Sequence, residues 1–184
     1  RGKLKRWFLA VRRQRSDFYT SLGRFSPAHF EELPLQGTHM ADPFVITAHN
    51  RTWLFYEYVP LGARRGQLGC MAIAHNANPS KPEIILQKDY HLSYPCVFSH
   101  EGELFLIPES SADRTVQLYR ATKFPFEFQF EANLMEGLSA VDTTPFFYDG
   151  RWYFFTTTTD PFLETFLFWS AALGGKLKRP PLSP

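Results

Sequence analysis

The sequence has little cysteine: two residues in 184, Cys70 and Cys96. They are not in C-x-x-C spacing, so neither a zinc-ribbon ligand set nor a disulfide framework organises the chain. The six histidines form no H-E-x-x-H pattern, and no metal or cofactor is expected. The glycine-containing run 62–69 lacks the Lys-Ser/Thr ending of a phosphate-cradling P-loop. Charge of one sign is also scarce. A net charge of +2 gives no electrostatic case for a nucleic-acid partner. No apolar run is long enough to cross a membrane as a helix. The chain begins at Arg1, and no compartment can be read from it.

What is abundant is aromatic side chains and proline. Aromatics make up 17% of the chain, which suits pleated strands, and fourteen prolines punctuate short elements. One pattern is written three times. Residues 94–98 read as a strand, Ser99-His100-Glu101-Gly102 as a turn, and 103–107 as a second strand stopped by Pro108. The same order recurs upstream over residues 41–57 and downstream over residues 141–155. Pro43, Pro95 and Pro145 stand 52 and 50 residues apart, and a hairpin period near fifty is the mark of a β-propeller blade. The expected class is all-β, a propeller with about three blades in this chain. The expected units are residues 1–40 (an N-terminal strand and a short helical or loop segment), 41–90 (blade 1), 91–140 (blade 2) and 141–184 (an incomplete blade 3 with a basic tail).

In chain order, residues 1–15 hold seven Lys or Arg around Trp7–Val11, read as a strand with charged flanks rather than a lipid or nucleic-acid anchor. A propeller's first strand often completes its last blade, so this strand is expected to pair outside the three repeats. Ser26-Pro27 followed by Glu31-Glu32 suggests the cap and first turn of a short helix, ended by Pro34. Third and fourth strands are expected at 67–75 and 83–86 in the first repeat, and at 115–121 and 126–131 in the second. The third repeat offers 165–171 and no recognisable fourth strand. Inner strands are expected to be nearly continuous apolar runs. Trp53, Phe105 and Trp152 occupy matching places and are expected to pack between blades. Three blades do not close a ring, so the expectation is a piece of a longer protein or copies that associate. The start without Met and the Pro-rich end point to a piece.

Ala41-Asp42-Pro43-Phe44, His91-Leu92-Ser93-Tyr94-Pro95, Ile107-Pro108-Glu109-Ser110, Leu118-Tyr119-Arg120-Ala121 and Asp142-Thr143-Thr144 together carry a family resemblance. The chain resembles the N-terminal propeller domain of glucosamine inositolphosphorylceramide transferases and the related domain of bacterial formyltransferase-like proteins. More distantly it is similar to the five-bladed propellers of glycoside hydrolase families 43, 32, 62 and 68. The resemblance implies five blades, about two of them beyond Pro184. In the hydrolase relatives, three carboxylates enter an axial funnel from successive inner strands, because an oxocarbenium-like transition state is cationic and needs both an acid and a base. By that resemblance Asp42 takes the first position. Tyr94 stands at the second, where the carboxylate is lost. Asp142 stands near the third, one residue further from its proline than the relatives' glutamate.

The resulting candidate set is Asp42, Glu109 and Asp142 as catalytic carboxylates, with His91, Tyr94, Arg120 and Thr143 as sugar-contacting residues. Each has a plainer reading. Asp42 and Asp142 suit turns, Glu109 suits an ion pair with Arg114 or Arg120, and His91 suits a packed corner. Three functions follow. The first is glycan recognition in a family 43-like funnel, accessory to a transferase, with a glycan or glycosylated substrate as partner. The second is an inverting glycosidase using Asp42 with Asp142 or Glu109. The third is a protein-interaction scaffold. The lost middle carboxylate favours recognition over hydrolysis.

Overall fold

The computed structural model describes residues 7–12, 27–34, 37, 39–73, 79–160 and 163–179. Thirteen strands lie within these residues, and the only helical elements among them are two short 3-10 turns. The first blade runs β3 (His39–Ala48), β4 (Arg51–Val59), β5 (Gln67–Ile73), β6 (Glu83–Leu86). The second runs β7 (Ser93–His100), β8 (Glu103–Ser110), β9 (Thr115–Lys123), β10 (Glu127–Glu136). The third runs β11 (Ala140–Tyr148), β12 (Arg151–Thr158), β13 (Glu164–Ser170). All neighbouring pairs are antiparallel. Antiparallel sheets of four, four and three strands in succession make three blades of a β-propeller.

Each blade opens with the same two-residue hairpin. His49-Asn50, Glu101-Gly102 and Asp149-Gly150 all have positive φ at both central positions. That is the turn whose twist matches the right-handed twist of the flanking strands. The local sequence therefore fixes where each pair of long strands reverses.

The blades stack through aromatics. Trp53 meets Phe124 and Phe126 of the second blade at 6.2 and 5.6 Å between ring centroids. Trp152 of the third blade meets Phe98 at 5.5 Å and His100 at 4.7 Å. Two buried clusters result, one between the first and second blades and one between the second and third. Cys70 and Cys96 are buried thiols in these layers, and burial pushes each up to about 12, which leaves them unreactive.

Two expectations are corrected, the short helix and the burial of the inner strands. The strand near the N-terminus pairs outside the three repeats, as expected, with a neighbouring short strand rather than with a blade. Here β1 (Ala10–Val11) pairs with β2 (Glu31–Glu32), Trp7 bridges His39, and Leu9 and Leu33 pack on Met40, Leu54, Tyr56 and Met71. The segment thus covers the first blade, because that blade's apolar face had no other sheet against it. The short helix is a single 3-10 turn, Pro27–His29, followed at once by strand; Ser26 lies outside the described residues. The longest buried runs belong to the middle strands β4, β5, β8 and β9, not to the inner strands, which are sheet edges and have hydrogen-bonded neighbours on one side only. The third blade has three strands among the described residues, as its sequence suggested, and Lys178 exchanges two backbone hydrogen bonds of 2.8 Å with Trp169 at its outer edge.

Candidate functional site

Every inner strand carries a bulge near its start. Pairing jumps from Ala41↔Glu57 to Phe44↔Phe55, from Ser93↔Glu109 to Cys96↔Ile107, and from Val141↔Thr157 to Thr144↔Phe155. The first bulged residue is Asp42, Tyr94 or Asp142, with φ of 51°, 45° and 54°. A bulge re-aims a side chain that regular pleating would send elsewhere. Aspartate tolerates this left-handed backbone; a tyrosine there is strained, and such strain persists where surroundings hold it.

The bulges correct the proline alignment. Pro43 and Pro95 are the second bulged residues of their strands, and Thr143 is the third repeat's equivalent; Pro145 lies two residues beyond. Asp142 is therefore in the same position as Asp42 and Tyr94, with no offset.

These residues converge at the end of the blades from which the inner strands start. The Tyr94 N–H donates to Asp42 Oδ2 at 3.1 Å, and the Tyr94 hydroxyl bonds Thr144 Oγ1 at 2.8 Å. Phe44 meets the Tyr94 ring edge-on at 4.8 Å. Burial raises the Asp42 carboxyl above its ordinary range; the Tyr94 N–H opposes that, while the charges of Glu57 and Asp142 add to it. Burial also raises Glu109, against the lowering effect of the Ser111 hydroxyl, which donates to Oε1 at 2.7 Å. The negative charge of Asp142 adds to that rise. Asp142, the most open of the three, is raised by partial burial.

Glu57 belongs to this group although the sequence reading passed over it. It occupies in the first blade the place Glu109 holds in the second, opposite the residue before the bulge. The signal was available: each glutamate follows its bulge residue by the same number of positions. Its carboxylate, only 8% exposed, lies 3.3 Å from His39 Nε2 and 3.3 Å from His91 Nε2. The Gly66 N–H donates to His91 Nδ1 at 2.9 Å, so the neutral ring carries its proton on Nε2, facing Glu57. Hydrogen bonding to Glu57 raises the His91 pKa, with burial acting against it. The Gly66 N–H resists full protonation, because an imidazolium has no lone pair at Nδ1.

Two expected residues are not part of this group. Arg120 pairs with Phe105 in the half of the blade nearer the hairpin turns, and its guanidinium is held by Glu131 and Glu103. Thr143 is buried, and its hydroxyl bonds Thr156 Oγ1 at 2.7 Å inside the third blade. The ion pairs anticipated for Glu109 are absent among the described residues: Arg114 pairs with Asp160 and Arg120 with Glu103 and Glu131. No cluster of three or more potential metal ligands occurs among the described residues.

Three stacked blades with bulged inner strands define a propeller of the glycosidase type. A thermostable family-43 glycoside hydrolase superimposes with a TM-score of 0.63 at 10% identity, covering 84% of this chain and 62% of that one. Bacteroides ovatus Xyloglucan PUL GH43B gives 0.60 at 12% identity, covering 79% and 29%. The Bombyx mori GH32 β-fructofuranosidase BmSUC1 gives 0.55 at 14%, covering 85% and 42%. At these identities the likeness is one of fold.

The sequence places the chain more narrowly. Residues 25–165 match the model of the family described as glucosamine inositolphosphorylceramide transferase 1, N-terminal, and the chain belongs to that family. It is 34% identical over 119 residues to glucosamine inositolphosphorylceramide transferase 1 of Oryza sativa subsp. indica, and 30% identical over 127 residues to that of Arabidopsis thaliana. These alignments cover 64% and 68% of this chain and 16% of each relative, so the chain spans a small part of their length.

Proposed function

We propose that the carboxylate-lined end of the blades recognises a glycan and serves a transferase of which this domain is one part. The observation that carries the reading is Tyr94 in the middle bulge. Its N–H holds Asp42 as a fixed acceptor, and its ring and hydroxyl stand where a third carboxylate would complete an acid–base set. Carboxylates held this way accept hydrogen bonds from sugar hydroxyls, and charge-assisted bonds are the stronger kind. An aromatic beside them offers a face to sugar C–H groups. The relatives' names, which join a sugar to a transferase, fit such an accessory role.

One observation favours a second reading, inverting hydrolysis. The charge of Asp142 adds to the rise of both Asp42 and Glu109, and burial raises all three. Groups of that kind can divide acid and base roles. A glycan array and an aryl-glycoside panel separate the two. Recognition predicts array binding that falls about tenfold in Asp42→Asn, with no turnover by the parent protein. Turnover lost in Asp42→Asn would establish hydrolysis instead. Neither binding nor turnover would remove both.

A further inference from the structure

A second polar feature lies on the same end of the first blade. A cleft of about 410 Å³ is lined by Ala63, Arg64, Arg65, Gly66, Gln67, Gln87 and Lys88. It is formed by the β4–β5 loop and by the crossover from β6 to β7. Both connections lie at the end where the inner strands start, because β4 runs toward that end and β6 does likewise. Its lining holds three cations and two amides but no carboxylate. Arg64 has no carboxylate partner among the described residues. Arg65 is anchored to the Asp89 carbonyl, and Lys88 lies 5.6 Å from the centre of the Tyr119 ring. Two of the three cations are thus held in place without being neutralised.

Gly66 joins this cleft to the carboxylate group. Its N–H bonds His91, and its carbonyl accepts the Leu92 N–H at 3.0 Å. A Cβ there would stand 2.3 Å from the Leu92 carbonyl and 2.8 Å from Glu57 Oε1. One glycine therefore separates a site rich in acceptors from a site rich in donors. Hydroxyl groups suit the first; an acceptor suits the second, an anion best, since guanidinium and ammonium groups only donate and bind a charged acceptor most strongly.

We propose that the Arg64–Arg65–Lys88 cleft is an anion subsite, which holds the phosphate of a phosphorylated sugar or polyol whose hydroxylated ring lies against the neighbouring carboxylates. The placement of the ring rests on the glycan reading above; the binding of phosphate does not. The phosphate accepts charge-assisted hydrogen bonds from the two guanidiniums and the ammonium, and the amide side chains of Gln67 and Gln87 add neutral donors. Phosphate screened by salt binds more weakly, as an exposed ionic contact requires.

The test begins with inorganic phosphate and the 184-residue chain, followed by amide NMR. Saturable shifts at Gly66, Gln67 and Lys88 are expected at millimolar phosphate, and Arg64→Ala and Lys88→Ala should each weaken them about tenfold. The amide spectrum itself reports whether each variant remains folded. Because inorganic phosphate carries no sugar, this arm fails or succeeds independently of the glycan reading. Glucose 1-phosphate should then bind at least about tenfold more tightly than glucose. Vesicles of phosphatidylinositol in phosphatidylcholine distinguish the source: co-sedimentation sensitive to Arg64→Ala indicates a lipid headgroup, and binding of glucose 1-phosphate without it indicates a soluble sugar phosphate. Shifts confined to other residues, variants that bind as the parent does, or equal affinity for glucose and its phosphate would overturn the proposal.

Discussion

At the scale of single residues, the site is an accumulation of negative charge held against its own repulsion. Asp42, Glu109 and Asp142 all have folded pKa values raised above their ordinary range, and His91 is raised as well. A raised group binds its proton more tightly in the folded state, so its contribution is fully present below the unfolded pKa and is lost as pH rises through the folded one. All four act in the same direction. Among the described residues Glu131, lowered by Arg120 on the exposed surface, opposes them, and it does so at the acid end. Thermal unfolding should therefore show stability declining from the upper carboxylate range toward neutrality, with Asp42→Asn flattening that decline by less than about 1 kcal/mol because the group is half exposed. Glu57 is buried between two imidazoles. Glu57→Leu strips the acceptor from both rings and should cost about 1–3 kcal/mol in denaturant unfolding, whereas Glu57→Gln should cost less.

At the scale of elements, the hairpin pair is the repeated unit, and most of it was legible in the sequence. Two-residue turns with Gly or Asn, alternating aromatics and recurrent prolines marked the first two strands of every blade. The register of the third inner strand was not legible, because its bulge is made by Asp142-Thr143 and the visible proline belongs to the regular strand after it. Arg120 was misplaced for a related reason. A motif gives position along the chain, while the direction of β9 carries this residue toward the opposite end of the blade. Glu57 was missed because a glutamate inside an apolar second strand looks like pattern noise until the blades are aligned. The matching aromatics did indicate the inter-blade layers. Trp152, buried at 4% exposure between the second and third blades, is the clearest case. Trp152→Ala should remove about 3–5 kcal/mol, read from the denaturant midpoint at unchanged slope.

At the scale of the whole molecule, the two outer blade faces are treated unequally. Leu9 and Leu33 cover the first blade, but the third presents Phe146, Tyr148 and Phe155, each close to half exposed or more. Strand pairing puts these three on one face, and Phe146 stacks with Tyr148 at 6.1 Å. The isolated 184-residue chain should associate through that face. Sedimentation velocity should show a weight-average mass rising with concentration, and Phe146→Ser with Phe155→Ser should suppress the rise. A monomer at all concentrations would show that the exposed aromatics are tolerated.

On the proposed function, Asp42, Tyr94 and their neighbours form one ligand-binding surface for sugars. The most direct measurement is chemical-shift mapping of the strongest array-selected glycan on the uniformly labelled chain, repeated with Asp42→Asn. Saturable shifts centred on Asp42, Gly66, His91, Tyr94 and Asp142 are expected, weakened about tenfold in the variant while its melting temperature is kept. Shifts centred instead on the exposed aromatic face of the third blade, or binding that Asp42→Asn leaves intact, would contradict it.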